Sequence, residues 1–502
     1  MSAARIRLRY ATLVNYLAVG YRMLVSVGFV VIVARRLSVS EFGLWGIMLS
    51  ISLMLSAPVS IWCYWARRYY ARGREDASGT GIWLTIMYLL PQAGAYLGLA
   101  YFENYVLGWG FTELLIALPV ASFMAIDAYL TAFSVVIKPE IVGYKRVVYE
   151  TLRLAVAYAA VVIFKLGYLG AVLSLVVALA VVITYNTLIL IKYRAVNLRF
   201  SYSLTKEWLK SSYIPLLNIV NGSLRSAMRA IASWVTGSEV PAAYLNVALS
   251  AQTPLQASGA AAAPALYARM LREQKASDVE ESIRLLFLTG AYTLAIFIVL
   301  SKPIASLYSL QYVVASTLIA ITATYSIINA LISVCTAALT GSEKVDIQGI
   351  KSHSKLIRSY LFKVPVVRLS ATVAAYVAAI SVAYSLRSDY FLTASAFLTA
   401  FLATAVGSLA VVYRMTAKRL NFRFPARDAL AATASAGLMT VYYMLLKVND
   451  ITIAHFWSDV PELIVHLIVG SAIYVTSLAV MSKWFRNLVR SAFTAVGSRG
   501  FS

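Results

Sequence analysis

The sequence predicts an all-α polytopic membrane protein of about 14 transmembrane helices. Three observations predict it: an apolar composition, the recurrence of apolar stretches of spanning length, and an alternation of basic residues between the loops that join them. Of the 502 residues 61% are apolar and 13% charged, with a mean hydropathy of +0.76. Soluble domains sit near roughly 45–50% and 25%, so a soluble enzyme and a disordered chain are both excluded. A spanning helix needs ~20 mostly apolar residues. Such runs fall near 10–34, 42–65, 81–102, 112–137, 147–165, 167–191, 211–235, 240–268, 284–301, 304–340, 360–386, 390–413, 429–447 and 462–482. Charges interrupt the fifth, seventh and eleventh, and the tenth is long enough for one tilted helix plus a re-entrant or interfacial piece. Arg5, Arg7 and Arg9 precede an apolar stretch that runs to Ala34, too long for a signal-peptide core, so a retained first helix is expected.

Basic residues order these spans. With the N-terminus on one side, that side collects the clusters within 5–9, 67–74, 138–146, 192–210, 269–284, 344–363, 414–427 and 483–499. The opposite side holds Arg35, Arg36, Lys165, Lys302, Arg387 and Lys447. One missed or invented span would exchange the two sides from that point onward, so the alternation supports the count and places both termini in the cytoplasm of a cell-membrane protein. The net charge of +23 then arises from orientation and from contact with anionic membrane lipid, and no nucleic acid partner is needed.

Several chemistries lack their residues. Cys63 and Cys335 both lie in apolar runs without CxxC spacing, which leaves no disulfide framework and no thiolate metal site. No phosphate-binding GxxxxGK[ST], no HExxH and no paired His-carboxylate spacing occurs, so no metal and no cofactor is expected. The loop of roughly 448–461, with Asp450, His455, Trp457 and Asp459, is the longest on its side. A membrane glycosyltransferase or polysaccharide polymerase ordinarily carries its acids on large external loops, which ranks an enzyme below a transporter and leaves no catalytic residues to assign.

Two pieces of the chain look alike at an offset of about two hundred residues. Ser40-Glu41-Phe42 through Trp45 to Leu49-Ser50 parallels Ser238-Glu239-Val240 through Tyr244 to Leu249-Ser250, and Arg153-Leu154 with Tyr158 parallels Arg368-Leu369 with Tyr376. An even-numbered repeat gives both halves one orientation, related by a pseudo-two-fold along the membrane normal. The expected organisation is an N-lobe of six helices over 1–195, a cytoplasmic linker over 196–210, a six-helix C-lobe over 211–415, and two extra C-terminal helices with a cytoplasmic tail over 416–502. A cavity is expected between the lobes.

Charges inside the spans are the candidate site. Arg22, Arg153, Arg225, Arg229 and Arg368 fall within apolar runs, where each costs ~2.5–3.5 kcal/mol at a helix centre. Arg153 and Arg368 lie within about two turns of the cytoplasmic ends, so snorkelling to the interface accounts for them and they are secondary candidates. Arg22, Arg225 and Arg229 are deeper. Asn218, Asn221, Gly222, Arg225 and Arg229 share one face of the seventh span, and the two like charges there call for an anion between them. Asn15 shares a face with Arg22, and the eighth span offers Asn246, Gln252 and Gln256. The competing reading has the arginines pair with Asp127 or with backbone carbonyls and only join helices. Asp127, with Thr131 and Ser134 on its face, reads either as a site for a coupling proton or cation or as the partner of an arginine.

Three segments resemble the polysaccharide-biosynthesis and lipid-linked oligosaccharide flippases of the multidrug/oligosaccharidyl-lipid/polysaccharide (MOP) exporter superfamily. Ala34-Arg35-Arg36-Leu37-Ser38-Val39-Ser40-Glu41-Phe42-Gly43-Leu44-Trp45 resembles that family's R-x-L-x-x-x-E-Y/F-G-L-Y/W junction. Tyr244 through Pro264 to Arg269 is similar to its eighth helix, and Ala338-Leu339-Thr340-Gly341 to its A-L-x-G exit from the tenth. The resemblance implies a MATE-like fold and alternating-access translocation of an isoprenoid-diphosphate-linked glycan by a monomer, alongside glycosyltransferases of the same pathway. It implies that Arg22, Arg225 and Arg229, with Asn15, Asn218 and Asn221, hold the diphosphate. Multidrug exporters of the same superfamily are the alternative, and a scaffold without transport ranks after the enzyme. A headgroup of about −2 carried outward against a negative-inside potential gains ~2.3 kcal/mol per charge per 100 mV.

Overall fold

A computed structural model describes residues 8–250 except 72, 139 and 211, then 263, 266, 267, 269, 270, 274–343 and 357–490 except 489. Among these residues the regular structure is helical, with no strand. The chain forms two compact units. The first comprises 1–246 and 368–397, the second 247–367 and 398–502. The six-helix lobes read from the repeat divide the chain by symmetry rather than by contact, and they stay a proposal.

The first unit opens with α1 (Leu8–Arg36), α2 (Val39–Ser56), α3 (Ser60–Ala71) and α4 (Asp76–Leu107). A capping box starts α2: Ser38 Oγ accepts the Glu41 amide at 3.2 Å while Glu41 Oε2 accepts the Ser38 amide at 3.0 Å. Two otherwise unsatisfied amides are thereby paired at the turn between the first two helices. A short 3₁₀ turn over Ala57–Val59, with Pro58 in it, joins α2 to α3, so the second span continues to Tyr70. Helix α4 runs 32 residues, about 48 Å at 1.5 Å per residue, and ends at Gly108, whose φ of 73° suits glycine. Next come α5 (Phe111–Leu115), α6 (Leu118–Ile137), α7 (Glu140–Ala157, running on as a π-turn over Tyr158–Ile163), α8 (Gly167–Lys192) and α9 (Tyr202–Lys210). Helix α7 packs on α1 and α8, and α6 packs on α2 and α8.

The seventh span breaks at Ala227 into α10 (Tyr213–Ser226) and α11 (Met228–Thr236), and α12 (Val240–Ser250) comes after them. The sequence reading put Asn218 to Arg229 on one continuous stripe. Ala227 at ψ −7° instead ends α10 with a tight turn and changes the phase of α11. Asn218 is exposed, while Asn221 is buried.

The second unit holds α13 (Ala276–Val299), α14 (Ser301–Tyr308), α15 (Ser316–Gly341), most of α17 (Tyr390–Leu420), α18 (Ala426–Leu445) and α19 (Phe456–Met481); α16 (Tyr360–Ser385) divides between the units at Arg368. The tenth span is built as its excess length leads one to expect. A short α14 and a 3₁₀ turn over Leu310–Ala315 precede the spanning α15. The two last helices form a core with α13: Tyr474 donates to the Leu288 carbonyl at 2.6 Å, Tyr292 and Ser471 hydroxyls meet at 2.6 Å, and Met439, Tyr443 and Leu478 are buried among them. Nine helices among the described residues are long and apolar enough to cross a membrane. The protein is a multi-pass membrane protein, and each expected span coincides with a helix or a broken helix, the eighth only as far as Ser250. That is consistent with fourteen without fixing the number.

Helix α4 approaches its neighbours through glycine. A Cβ at Gly79 would sit 2.1 Å from the Asn197 carbonyl oxygen, and nothing lies within 4 Å of one at Gly94. Gly79→Ala should therefore destabilise the protein by about 1–3 kcal/mol, seen as a clear fall in melting temperature in detergent. Gly94→Ala, on the same helix, should match or slightly exceed the parent.

Candidate functional site

Helices α1 and α7 bring three arginines and a buried acid together. Glu150 on α7 has a side chain only 3% exposed, and it is paired twice: Oε2 with Arg153 Nη2 at 2.7 Å and Oε1 with Arg22 Nε at 3.4 Å. Arg153 also donates to Ser26 Oγ at 3.2 Å and lies over the Phe29 ring at 4.2 Å. It is thus held by α1 as well as by its own helix, which a snorkelling side chain would not be. The Arg22 side chain remains half exposed, so one guanidinium of the cluster still offers donors. Arg146 lies one turn before Glu150 on the same face of α7.

Asp127 on α6 pairs with a lysine, not with an arginine. Lys145 Nζ reaches Asp127 Oδ2 at 2.5 Å and also donates to Thr131 Oγ1. Asp127 Oδ1 is buried without a hydrogen-bond partner. With Arg22, Lys145, Arg146 and Arg153 against Glu150 and Asp127, this part of the first unit carries a surplus of two positive charges. A partly buried surplus of that kind is costly unless an anion or water completes it.

A second group surrounds the break in the seventh span. Arg229 on α11 donates from Nη1 to Asn246 Oδ1 at 2.9 Å, and its Nε is buried without a partner. Asn246 in turn donates to the Phe42 carbonyl at 2.9 Å, against Gly46, where a Cβ would sit 1.9 Å from the carboxamide. Asn221 accepts from Thr372 Oγ1 at 2.7 Å, and the Tyr376 hydroxyl donates to the Leu224 carbonyl. Arg368 precedes Thr372 and Tyr376 by one and two turns of α16, on the face that meets α10. Arg225 is half-buried near the end of α10.

Arg22 and Arg229 share no partner among the described residues, and their convergence on one cavity stays a proposal. The side chain of Asn15 and the whole of Gln252 and Gln256 lie outside the described residues. Sequence reasoning took Asp127 as the one acid inside the spans. Glu150 and Glu103 correct that: Glu150 fell at the charged start of the fifth span, and Glu103 one residue past the expected end of the third, whose helix continues to Leu107. The i, i+3 spacing of Glu150 and Arg153 was the available signal. Among the described residues no group of three or more His, Cys, Asp or Glu is placed to hold a metal.

No family model and no curated protein matches this sequence. Solved structures do match. The lipid II flippase MurJ in an inward closed conformation aligns with a TM-score of 0.63 at 12% identity, over 95% of this chain and 100% of that one. An inward-facing multidrug-resistance MATE transporter of the MOP superfamily aligns at 0.60 and 12% identity, over 80% of this chain and 94% of that one. A MOP superfamily transporter from Pyrococcus furiosus Vc1, described as having a binding pocket of reverse polarity, aligns at 0.55 and 14% identity, over 82% and 95%. The chain has the fold of the MOP-superfamily transporters. Within that fold the cationic groups lie on α1, α7, α10, α11 and α16, the helices that the sequence reading numbers one, five, seven and eleven.

Removing Glu150 leaves Arg153 buried with its main partner gone. Glu150→Ala should cost about 3–5 kcal/mol, read as a large fall in melting temperature in detergent, and adding Arg153→Met should recover most of it. Equal stability of the single and double variants would contradict the pairing.

Proposed function

We propose that the protein is a flippase that moves an anionic isoprenoid-diphosphate-linked oligosaccharide across the cytoplasmic membrane by alternating access. The single observation that carries this reading is the cation surplus around α1 and α7, where half of the Arg22 side chain is exposed, together with the unpaired buried Nε of Arg229. A diphosphate supplies the missing charge and the acceptors, and guanidinium groups bind phosphate oxygens in a fork that lysine cannot reproduce. The likeness to the lipid II flippase over that protein's full length, against a MATE likeness that leaves a fifth of this chain uncovered, supports the same reading.

In this mechanism Arg22, Arg225 and Arg229 hold the diphosphate with Asn15, Asn218 and Asn221, and Gln252 and Gln256 are secondary candidates. Arg153 and Arg368 position their helices. Asp127 is the coupling acid, with Lys145 as the cation that it must release for a proton or sodium ion to bind. Both termini face the cytoplasm, the monomer is the working unit, and glycosyltransferases of the pathway supply the substrate. The joints at 108–110, 164–166 and 446–455 are short, which supports a carrier over a polymerase with an external catalytic loop.

Two experiments test this. Reconstituted in vesicles with a lipid-linked oligosaccharide diphosphate, Arg229→Ala and Arg225→Ala should lose most translocation while Arg225→Lys retains part of it. Alanine variants that flip normally, or export of organic cations in place of lipid, would transfer the assignment to the multidrug class. For orientation, a cysteine at exposed Ser458 should react with an impermeant thiol reagent in intact cells and one at exposed Ser277 should not. Labelling of Ser277 from outside would reverse the topology.

A further inference from the structure

Glu103 is the most completely buried acid among the described residues that the mechanism above does not use. Its side chain belongs to a residue with 0% exposure, near the end of α4. Oε1 accepts the indole N–H of Trp234 on α11 at 2.6 Å, and Oε2 is buried with no partner. No described cation forms an ion pair with it. The Phe102 ring meets the Trp234 ring edge-on at 5.3 Å, so the indole is seated by packing as well as by the carboxyl.

The elements packed against α4 offer no compensation. Helix α5 contributes Glu113, whose carboxylate folds back against Gly110. Helix α2 contributes Glu41, already used by Ser38 and by the Tyr168 amide at 3.4 Å. Helix α11 contributes Arg229, engaged with Asn246. On α6 the titratable groups are Asp127, paired with Lys145, and Tyr129, whose hydroxyl donates to the Ser78 carbonyl; those of α3 and α9 meet α4 toward its Asp76 end. Tyr96 on α4 itself donates to the Leu114 carbonyl at 3.0 Å. A bare carboxylate in this position would carry one oxygen with neither donor nor countercharge, at a cost of several kcal/mol, whereas a carboxyl group would not.

We infer that Glu103 is a proton-binding site that latches α11 to α4, holding a proton while Trp234 covers it and losing it when the two helices part. The inference rests on the alternating-access reading, in which α4 and α11 belong to different lobes and their Glu103 and Trp234 ends face outward. Opening the outer side must then withdraw Trp234 and admit water to Glu103. In the closing direction a proton from the outer solution adds to Oε2, the carboxylate becomes a neutral carboxyl, and the indole returns to Oε1. The closed joint takes up one proton, so an acidic exterior favours closure and an alkaline one favours opening. This role is separate from that of Asp127, which sits with Lys145 toward the other end of the helices.

The test needs no transported lipid. Spin labels at Thr112→Cys and Ser238→Cys, in a background with Cys63 and Cys335 replaced by alanine and the protein in lipid nanodiscs, report the α5 and α11 ends by pulsed electron resonance. Between pH 5.5 and 8.5 the parent should move from a short to a longer distance population. Glu103→Gln, which keeps the Trp234 acceptor and cannot ionise, should stay short throughout. Trp234→Phe removes the indole donor and should move the transition about one pH unit lower. It also serves as the readout if the glutamine variant does not fold. A parent distance that ignores pH, a glutamine variant that follows the parent's transition, or a phenylalanine variant with an unshifted transition would overturn the latch. Each of these outcomes is independent of whether diphosphate lipids are flipped.

Discussion

The constraint on which the rest of the structure depends is the neutralisation of charge inside an apolar bundle. Glu150 is the centre of it. One carboxylate, almost wholly buried, serves Arg153 at 2.7 Å and Arg22 at 3.4 Å, and so fastens α7 to α1. Without it α7, with Lys145, Arg146 and Arg153 along its length, could not lie among apolar helices. The same residues explain why α7 is missing from the helices apolar enough to cross a membrane by composition alone. A helix that has to be solvated by its own protein is a natural wall for a polar cavity.

The neutralisation is incomplete, and the proposed binding of an anion rests on that incompleteness. A pair optimised only for stability would leave no donor over, and an apolar replacement would often be as stable. Here Arg22 keeps half of its side chain exposed, Arg229 keeps a buried Nε without a partner, and Asp127 keeps a free oxygen beside Lys145. Several polar groups elsewhere are closed off: Asn221 on Thr372, Tyr474 on the Leu288 carbonyl, and Tyr96 on the Leu114 carbonyl. The proposed assignment follows this contrast between satisfied joints and unsatisfied cations.

Much of the fold was legible in the sequence because lipid imposes one requirement, a run of apolar residues about 30 Å long. Length and hydropathy therefore found the helices, and even the short piece before α15 showed as an overlong run. What did not show was the break at Ala227, because α10 and α11 are each ordinary helix and only the tertiary seat of Asn221 on Thr372 and of Arg229 on Asn246 sets their phases. Among the candidate residues the arginines and Asp127 were legible, and the other acids were not. An arginine inside an apolar run announces itself, whereas Glu150 lay at the charged start of the fifth run and Glu103 one residue past the end of the third. Glycine was equally silent: Gly46 and Gly79 matter through neighbours distant in sequence, Asn246 and Asn197.

The most direct test of the central claim is equilibrium binding of short isoprenyl phosphates to the purified wild-type protein at two ionic strengths. If unsatisfied buried guanidinium groups form the site, an isoprenyl diphosphate should bind at least tenfold more tightly than the monophosphate of the same chain length, and an organic cation should not compete with it. Because the contact is with partly buried charge, much of that preference should survive raised salt. Equal affinity for diphosphate and monophosphate, or displacement of the diphosphate by an organic cation, would contradict the account.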